Sequence, residues 1–223
     1  MPAASAERVR TVSTVIGIVG YCGFVRGYPL GPELMERLQA TPWPDDVAIC
    51  EMNWGPVAIV QDFQAQAHKP ERVVLVGALD RGLAEGTISC RRWAGGALAL
   101  DAVQRRMFEA VTGVISLDNL LVIGAHFGVW PDETFSVELQ WPESGLGDLV
   151  LGEIDIDHVG GQVVGEGPIS AANKRIVQRL VDAVRRLALD ETPRDVQALS
   201  VAQLTPVAAV LHHRFLDDGG LLQ

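Results

Sequence analysis

Three apolar runs rich in β-branched residues, separated by segments of helical periodicity, constrain the fold of this chain most. The runs are TVIGIVGY (14–21), VAICEM (47–52) and ERVVLVGAL (71–79), and helices are predicted between them over 31–39 and 55–66. Strands buried on both faces of a parallel sheet have this continuous apolar character. The order strand, helix, strand, helix, strand therefore predicts an α/β fold, a three-layer sandwich whose mostly parallel central sheet carries helices on both faces.

The rest of the chain continues this alternation and gives a predicted domain organisation. Further strands are predicted at 86–93, 134–141 and 147–159, and further helices at 97–111, 116–128 and 170–189. Residues 1–13 are predicted to form a flexible N-terminal arm, because they are small and polar. Residues 14–191 then form the α/β domain, and 192–223 a C-terminal helical extension.

Composition excludes several classes of function. The formal net charge is -10, from 28 acidic and 18 basic side chains, which argues against a nucleic-acid partner. Cys22, Cys50 and Cys90 form no CxxC pair, so neither a thiolate zinc site nor a disulfide framework is indicated. No apolar run approaches the roughly 18 residues of a membrane span, and no signal-peptide core is present. We therefore expect a cytoplasmic protein without membrane insertion.

Ligands of parallel sheets bind at the carboxyl ends of the strands, which directs attention to the loops that follow them. The first, GYCGFVRGYPLG (20–31), is rich in glycine but matches neither a dinucleotide-binding nor a Walker motif. Its Cys22 could be a nucleophile with His126 as base, or simply a small residue packed in a turn. Glu51 lies at the end of the second predicted strand and Asp80 follows the third, and these acids could serve as ligands or be solvated.

A separate acidic segment, GEIDIDHV (152–159), has two interpretations. Strand alternation places Glu153, Asp155 and Asp157 on one face, next to His158. Such a row could hold a hard cation or nickel. It could equally be an edge strand that presents charge to solvent and so discourages edge pairing.

The succession of segments over 14–189 resembles the nickel-iron hydrogenase maturation endopeptidases. VIGIVGYCGFVRGYPLGPELMERL is similar to that family's opening strand, loop and helix, and VAICEMNWGPVAIVQDF to its second strand and helix. ERVVLVGALDRGLAEGTISCRRW, SLDNLLVIGAHFGVWP and FSVELQWPES resemble the segments that follow. The resemblance implies a phosphorylase/hydrolase-like α/β fold. It also implies a role on a hydrogenase large subunit, whose C-terminal extension these enzymes remove after nickel insertion.

The same resemblance implies that the metal site is lost. The family recognises its metal with an acid after the first strand, an acid at the end of the third strand and a histidine before a later helix. The matching positions here are Arg26 with Gly27, Gly77, and Asp118. A guanidinium and a missing side chain cannot ligate a divalent ion. We therefore expect no catalytic residue and no metal, unless nickel used Asp118, Asp80 or Glu51.

These departures predict a pseudoenzyme that binds the large subunit, its precursor or another hydrogenase assembly protein without the nickel-dependent cut. Arg26 could hold a carboxylate, either of a partner or of Asp118. One alternative is an active endopeptidase with shifted residues, namely Glu51, Asp80, Asp118 and His126. Another is an unrelated α/β hydrolase or transferase that binds an anion near Arg26. The helix predicted at 97–111 lengthens the family's usual link between these segments, and the resemblance does not explain it.

Overall fold

The computed structural model describes residues 12–20, 28–111, 116–140, 169–190 and 196–204. These residues contain a six-stranded sheet with the order β2-β1-β3-β5-β4-β6. Its strands are β1 (Thr14–Val19), β2 (Val47–Met52), β3 (Arg72–Leu79), β4 (Ile88–Gly95), β5 (Glu133–Gln140) and β6 (Gln197–Ser200). Neighbouring strands run parallel except for β4 and β5, which are antiparallel. The predicted mostly parallel sheet is confirmed.

Helices cover both faces of this sheet, as the alternating sequence pattern predicts. They are α1 (Pro32–Ala40), α2 (Pro56–Ala65), α3 (Leu100–Val111), α4 (Leu117–His126) and α5 (Ala171–Leu189). Helices α1 and α5 pack on one face, hereafter the α5 face. Helices α2, α3 and α4 pack on the other, hereafter the α4 face. The three-layer α/β sandwich is thereby confirmed.

Helix α5 shows how the sequence sets its own boundaries. Ser170 caps its N-terminus, and the Ser170 side chain accepts a hydrogen bond from the backbone N–H of Asn173. Caps of this kind stabilise a helix by about 1 kcal/mol. Leu180, Val184 and Leu187 are fully buried at helical spacing, so one stripe of the helix enters the core.

The described part of the C-terminal extension contains a strand that the sequence did not indicate. Gln197–Ser200 forms β6, and a single 3₁₀ turn follows at Val201–Gln203; the rest of the predicted helix VAQLTPVAAVLHHRFL lies outside the described residues. Without β6, β4 would be the last strand of the sheet, and β6 pairs in parallel with its free edge. Leu199 is 1% exposed and packs on the α4 face. This burial stabilises the strand conformation of Gln197–Ser200.

Several predictions lie outside the described residues: the arm over 1–11, the strand at 147–159, and the rest of the extension from 205. Among the helices that the structure describes, none combines the length and apolar character that a bilayer crossing requires.

Candidate functional site

The candidate site begins with the polar side of β5. Thr134, Ser136, Glu138 and Gln140 alternate with apolar residues, and all four are at least nine-tenths buried. They are buried because β5 lies between β3 and β4 and helices cover the α4 face. Buried polar side chains of this kind need hydrogen-bond partners.

Arg81 is the partner of the central carboxylate on this strand. Its Nε and Nη2 lie 3.0 and 3.1 Å from Glu138 Oε2 and Oε1. The same guanidinium also holds Asp118, with Nη2–Oδ1 at 2.7 Å and Nη1–Oδ2 at 3.0 Å. Arg91 Nε donates to Glu138 Oε2 at 3.2 Å. We call these four side chains, Arg81, Arg91, Asp118 and Glu138, the Arg81 cluster.

The Arg81 cluster is a buried and charge-balanced arrangement. The side chains of Arg81, Asp118 and Glu138 are only 8%, 2% and 2% exposed. Burial by itself lowers the pKa of Arg81, but the hydrogen bonds and charges of Glu138 and Asp118 outweigh it and raise the pKa overall. The guanidinium therefore remains charged, and two arginines neutralise two carboxylates.

Gly77 and helix α4 bring the cluster to the carboxyl end of the sheet. Gly77 pairs in register with Glu138, and a Cβ on Gly77 would lie 3.2 Å from the Cβ of Leu117. Asp118 is in the first turn of α4, which Ser116 caps, and this position suits a negative charge. The two predicted positions that the structure describes, Gly77 and Asp118, thus lie side by side, with Arg81 bound to Asp118.

The loop that carries Arg81 is fixed by Gln140. Gln140 Oε1 accepts from the backbone N–H of Arg81 at 2.8 Å and of Leu83 at 3.2 Å. Its Nε2 donates to Asp80 Oδ1 at 2.9 Å, and the backbone N–H of Gly82 donates to the same oxygen. Asp80, a predicted site residue, therefore organises the loop.

Replacement of Gln140 by alanine should loosen this loop. Loss of three hydrogen bonds around one buried amide is expected to lower the free energy of unfolding by about 1–3 kcal/mol. Amide exchange at Arg81 and Leu83 should accelerate, as hydrogen–deuterium exchange can measure. Gln178→Ala is the matched control, because Gln178 is exposed and bonds only surface partners. Equal exchange in both variants would contradict the role of Gln140.

Helix α3 adds a second buried polar contact beside the cluster. Arg106 Nη1 lies 3.0 Å from Asn119 Oδ1 and 3.5 Å from Glu109 Oε2. Burial raises the pKa of Glu109, and the charge of Arg106 opposes this rise. The helix predicted at 97–111 is thus present as α3, and its buried side, which includes Arg106 and Glu109 beside Val103 and Ala110, packs on α4.

The structure does not bring Glu51 and His126 to this site. Glu51 is exposed at the end of β2, on the α5 face, and two strands separate β2 from β5, a distance of roughly 14 Å. His126 ends α4, about 12 Å along the helix axis from Asp118, at the opposite edge of the sheet. An active site built from Glu51, Asp80, Asp118 and His126 is therefore not assembled.

Other predicted residues lie outside the part of the chain that the structure describes: Arg26, Gly27, Cys22, and the acidic segment Glu153, Asp155, Asp157 and His158. The prediction that Arg26 holds Asp118 is thus left as a prediction. The guanidinium that the described residues place on both oxygens of Asp118 belongs to Arg81.

The described residues do not fit a divalent metal. They contain no group of three or more histidine, cysteine, aspartate or glutamate side chains that could hold one. Gly77 offers no side-chain donor atom, and the carboxylates of Asp118 and Glu138 are bound to Arg81. A metal ion needs electron-pair donors. In this part of the chain the two carboxylates nearest to Gly77 already accept hydrogen bonds from a guanidinium.

Cys50 is inert in this arrangement, as expected of a small apolar residue. Burial, and next the charge of Asp62, raise its pKa to about 11. At pH 8 only about one Cys50 thiol in a thousand would be ionised, and the thiolate is the reactive form. Iodoacetamide at pH 8 should leave Cys50 unmodified in the folded protein and label it in urea, as peptide mass spectrometry can show. Rapid labelling of folded protein would contradict this burial.

The fold and the site define a three-layer α/β protein whose carboxyl edge carries an internal ion cluster. No protein-family model matches the sequence. No curated protein sequence matches it at a significant level.

Solved structures do resemble this chain. The endopeptidase HycI from Escherichia coli is 21% identical, with 85% of this chain and 98% of that chain covered and a TM-score of 0.45. The hydrogenase maturating endopeptidase HybD from Escherichia coli is 15% identical, with 77% and 88% covered and a TM-score of 0.45. A hydrogenase 2 maturation peptidase from a Thaumarchaeota archaeon is 17% identical, with 81% and 100% covered and a TM-score of 0.40. Such low identities leave the residues of this chain to decide its function.

Proposed function

We propose that this protein acts in nickel-iron hydrogenase maturation or assembly by binding the large subunit or its precursor, without the nickel-dependent cut. One observation carries the second half of this proposal. The guanidinium of Arg81 is bound to Asp118 and Glu138 beside Gly77, where the sequence resemblance locates the family's metal site. The partner is inferred from the collinear sequence motifs over 14–189.

The chemistry of the cluster supports binding rather than cleavage. Metal-assisted hydrolysis requires an ion with an open coordination position and donors that fix it. A guanidinium donates hydrogen bonds and cannot be deprotonated at physiological pH, so it polarises no water as a metal would. The described residues at the carboxyl edge can therefore form a rigid binding surface but no hydrolytic centre. Such a surface suits a chaperone-like assembly role in the cytoplasm.

Among the exposed apolar side chains, which also include Leu100, Phe108 and Val111 on α3, two lie at the carboxyl edge of the sheet. Trp54 follows β2 and is 43% exposed, and Leu83 follows β3 and is 42% exposed. Both stand at the carboxyl edge of the sheet, the edge at which Arg81 lies. Tryptophan is prominent among residues that contribute most to protein–protein binding. We therefore place the large-subunit contact at this edge.

A binding assay with purified proteins tests the proposal. The protein is mixed with the precursor of a nickel-iron hydrogenase large subunit from the same organism, with and without Ni²⁺, and the mixture is followed by size-exclusion chromatography and intact mass. A one-to-one complex with an uncut precursor is expected. Removal of the C-terminal extension would establish the active-endopeptidase alternative instead. Absence of any complex would refute the proposal.

Two matched variants locate the contact. Trp54→Ser should weaken the complex at least tenfold, because it removes an aromatic side chain from the carboxyl edge. Phe127→Ser is the control, since Phe127 is 44% exposed but follows α4 at the opposite edge. Equal weakening by both variants would contradict this location of the contact. It would not contradict the proposal that the large subunit is the partner.

A further inference from the structure

The geometry points to Arg81 as a tethered cation: its guanidinium fills a position that would otherwise bind a divalent metal ion. We infer that removal of this one side chain uncovers a metal site made of Asp118, Glu138 and the backbone oxygen of Gln203. The inference concerns the ion chemistry of the cluster and does not depend on any hydrogenase partner.

The distances around a single nitrogen carry this inference. Arg81 Nη2 lies 2.7 Å from Asp118 Oδ1 and 3.1 Å from Glu138 Oε1. The two oxygens are therefore at most about 6 Å apart across hydrogen bonds of ordinary length. A hard cation holds oxygen ligands at about 2.0–2.6 Å, so it could occupy the place of the nitrogen with a modest inward movement of both carboxylates.

A third oxygen faces the same guanidinium. Arg81 Nη1 lies 3.4 Å from the backbone oxygen of Gln203, in the 3₁₀ turn after β6. Two carboxylates and a carbonyl form an oxygen-only donor set, which suits Mn²⁺, Mg²⁺ or Ca²⁺. Because the Gln203 oxygen faces Nη1 and not Nη2, it would become the third ligand only as the turn moves toward the ion. The site would contain no imidazole.

Charge balance favours the exchange. Without Arg81 the cluster retains Asp118 and Glu138 against the single positive charge of Arg91, which contacts Glu138 Oε2 at 3.2 Å. Ser136 Oγ also donates to Glu138 Oε1, so this carboxylate stays oriented. Buried carboxylates that lose a cation are strongly destabilising, and a divalent ion would compensate the lost charge.

Titration with Mn²⁺ tests the inference. Isothermal titration of Arg81→Met should show one Mn²⁺ per chain that the wild-type protein does not bind, or binds at least tenfold more weakly. Its melting temperature should rise with Mn²⁺, and that of the wild type should not. The triple variant Arg81→Met/Asp118→Asn/Glu138→Gln is the matched control, and it should lose the added site because amide oxygens carry no charge.

Three results would overturn the inference. The first is a folded Arg81→Met variant that binds no more Mn²⁺ than the wild type. The second is an added site that survives in the triple variant, since the ion would then lie elsewhere. The third is an Arg81→Met variant that does not fold at any Mn²⁺ concentration, because the ion should substitute for the guanidinium. Folding that requires Mn²⁺ would support it. None of these results bears on whether a large subunit binds.

Discussion

Replacement of Arg81 by alanine is expected to lower the free energy of unfolding by about 3–5 kcal/mol, because it leaves two buried carboxylates without their guanidinium. Asp118 and Glu138 are each 2% exposed in their side chains, and Arg81 makes two short contacts with each of them. Urea denaturation at pH 7 in a metal-free buffer measures this loss.

Two variants show whether the loss comes from the unpaired charges. Arg37→Ala removes an exposed arginine that bonds Gln178 on the surface, and it should cost less than about 1 kcal/mol. Arg81→Met combined with Asp118→Asn and Glu138→Gln removes three of the four charges and leaves only Arg91, which is 14% exposed, so it should recover much of the stability. An Arg81→Ala variant no less stable than Arg37→Ala would show that the cluster contributes little.

The strands and helices could be predicted because local pattern sets them. Apolar runs such as ERVVLVGAL, bounded by turns, match β3 (Arg72–Leu79), and the capping serine at 170 marks the start of α5. These features depend on residues that are close in sequence. Gly77 and Asp118 were placed together only through the sequence resemblance, because no local pattern reports which strand end meets which helix.

The remainder of the cluster could not be predicted for a topological reason. TFSVELQ alternates polar and apolar residues, a pattern that normally indicates one face in solvent. In the structure β4 returns antiparallel beyond β5, so β5 becomes an inner strand and Glu138 is buried. Arg106 and Glu109 on α3 could not be predicted as buried either. Charged residues of a helix are normally exposed, but these two are buried in the structure.

The short strand β6 could not be predicted for a related reason. The helix predicted in the extension, VAQLTPVAAVLHHRFL, lies mostly outside the described residues, whereas Leu199 before it is buried in a short strand that pairs with the open edge of β4. Pairing at a sheet edge is a long-range event that local periodicity does not report. The turn after this strand also places the backbone oxygen of Gln203 beside Arg81, so the extension takes part in the candidate site.

The substitution Gly77→Asp, which introduces at the end of β3 the acid that the sequence resemblance implies, is expected to destabilise the protein by about 3 kcal/mol or more. The new side chain would begin 3.2 Å from the Cβ of Leu117, closer than ordinary packing allows. Its carboxylate would also stand next to that of Glu138, the register partner of Gly77. A crowded side chain and an unpaired buried charge are both recognised causes of large losses.

Gly77→Ala and Gly77→Asn separate these two causes. Alanine adds only the crowded Cβ and should cost about 1–2 kcal/mol. Asparagine has the shape of aspartate without its charge, so the difference between the two measures the repulsion. Because burial and Glu138 should raise the pKa of the new carboxyl, it binds a proton more readily in the folded protein, and the difference should shrink as the pH falls. Equal stability of the aspartate and asparagine variants at pH 7 would mean that the position is open to solvent or cations. A single substitution would then suffice to add an acid beside the guanidinium that is inferred to occupy the place of a metal ion.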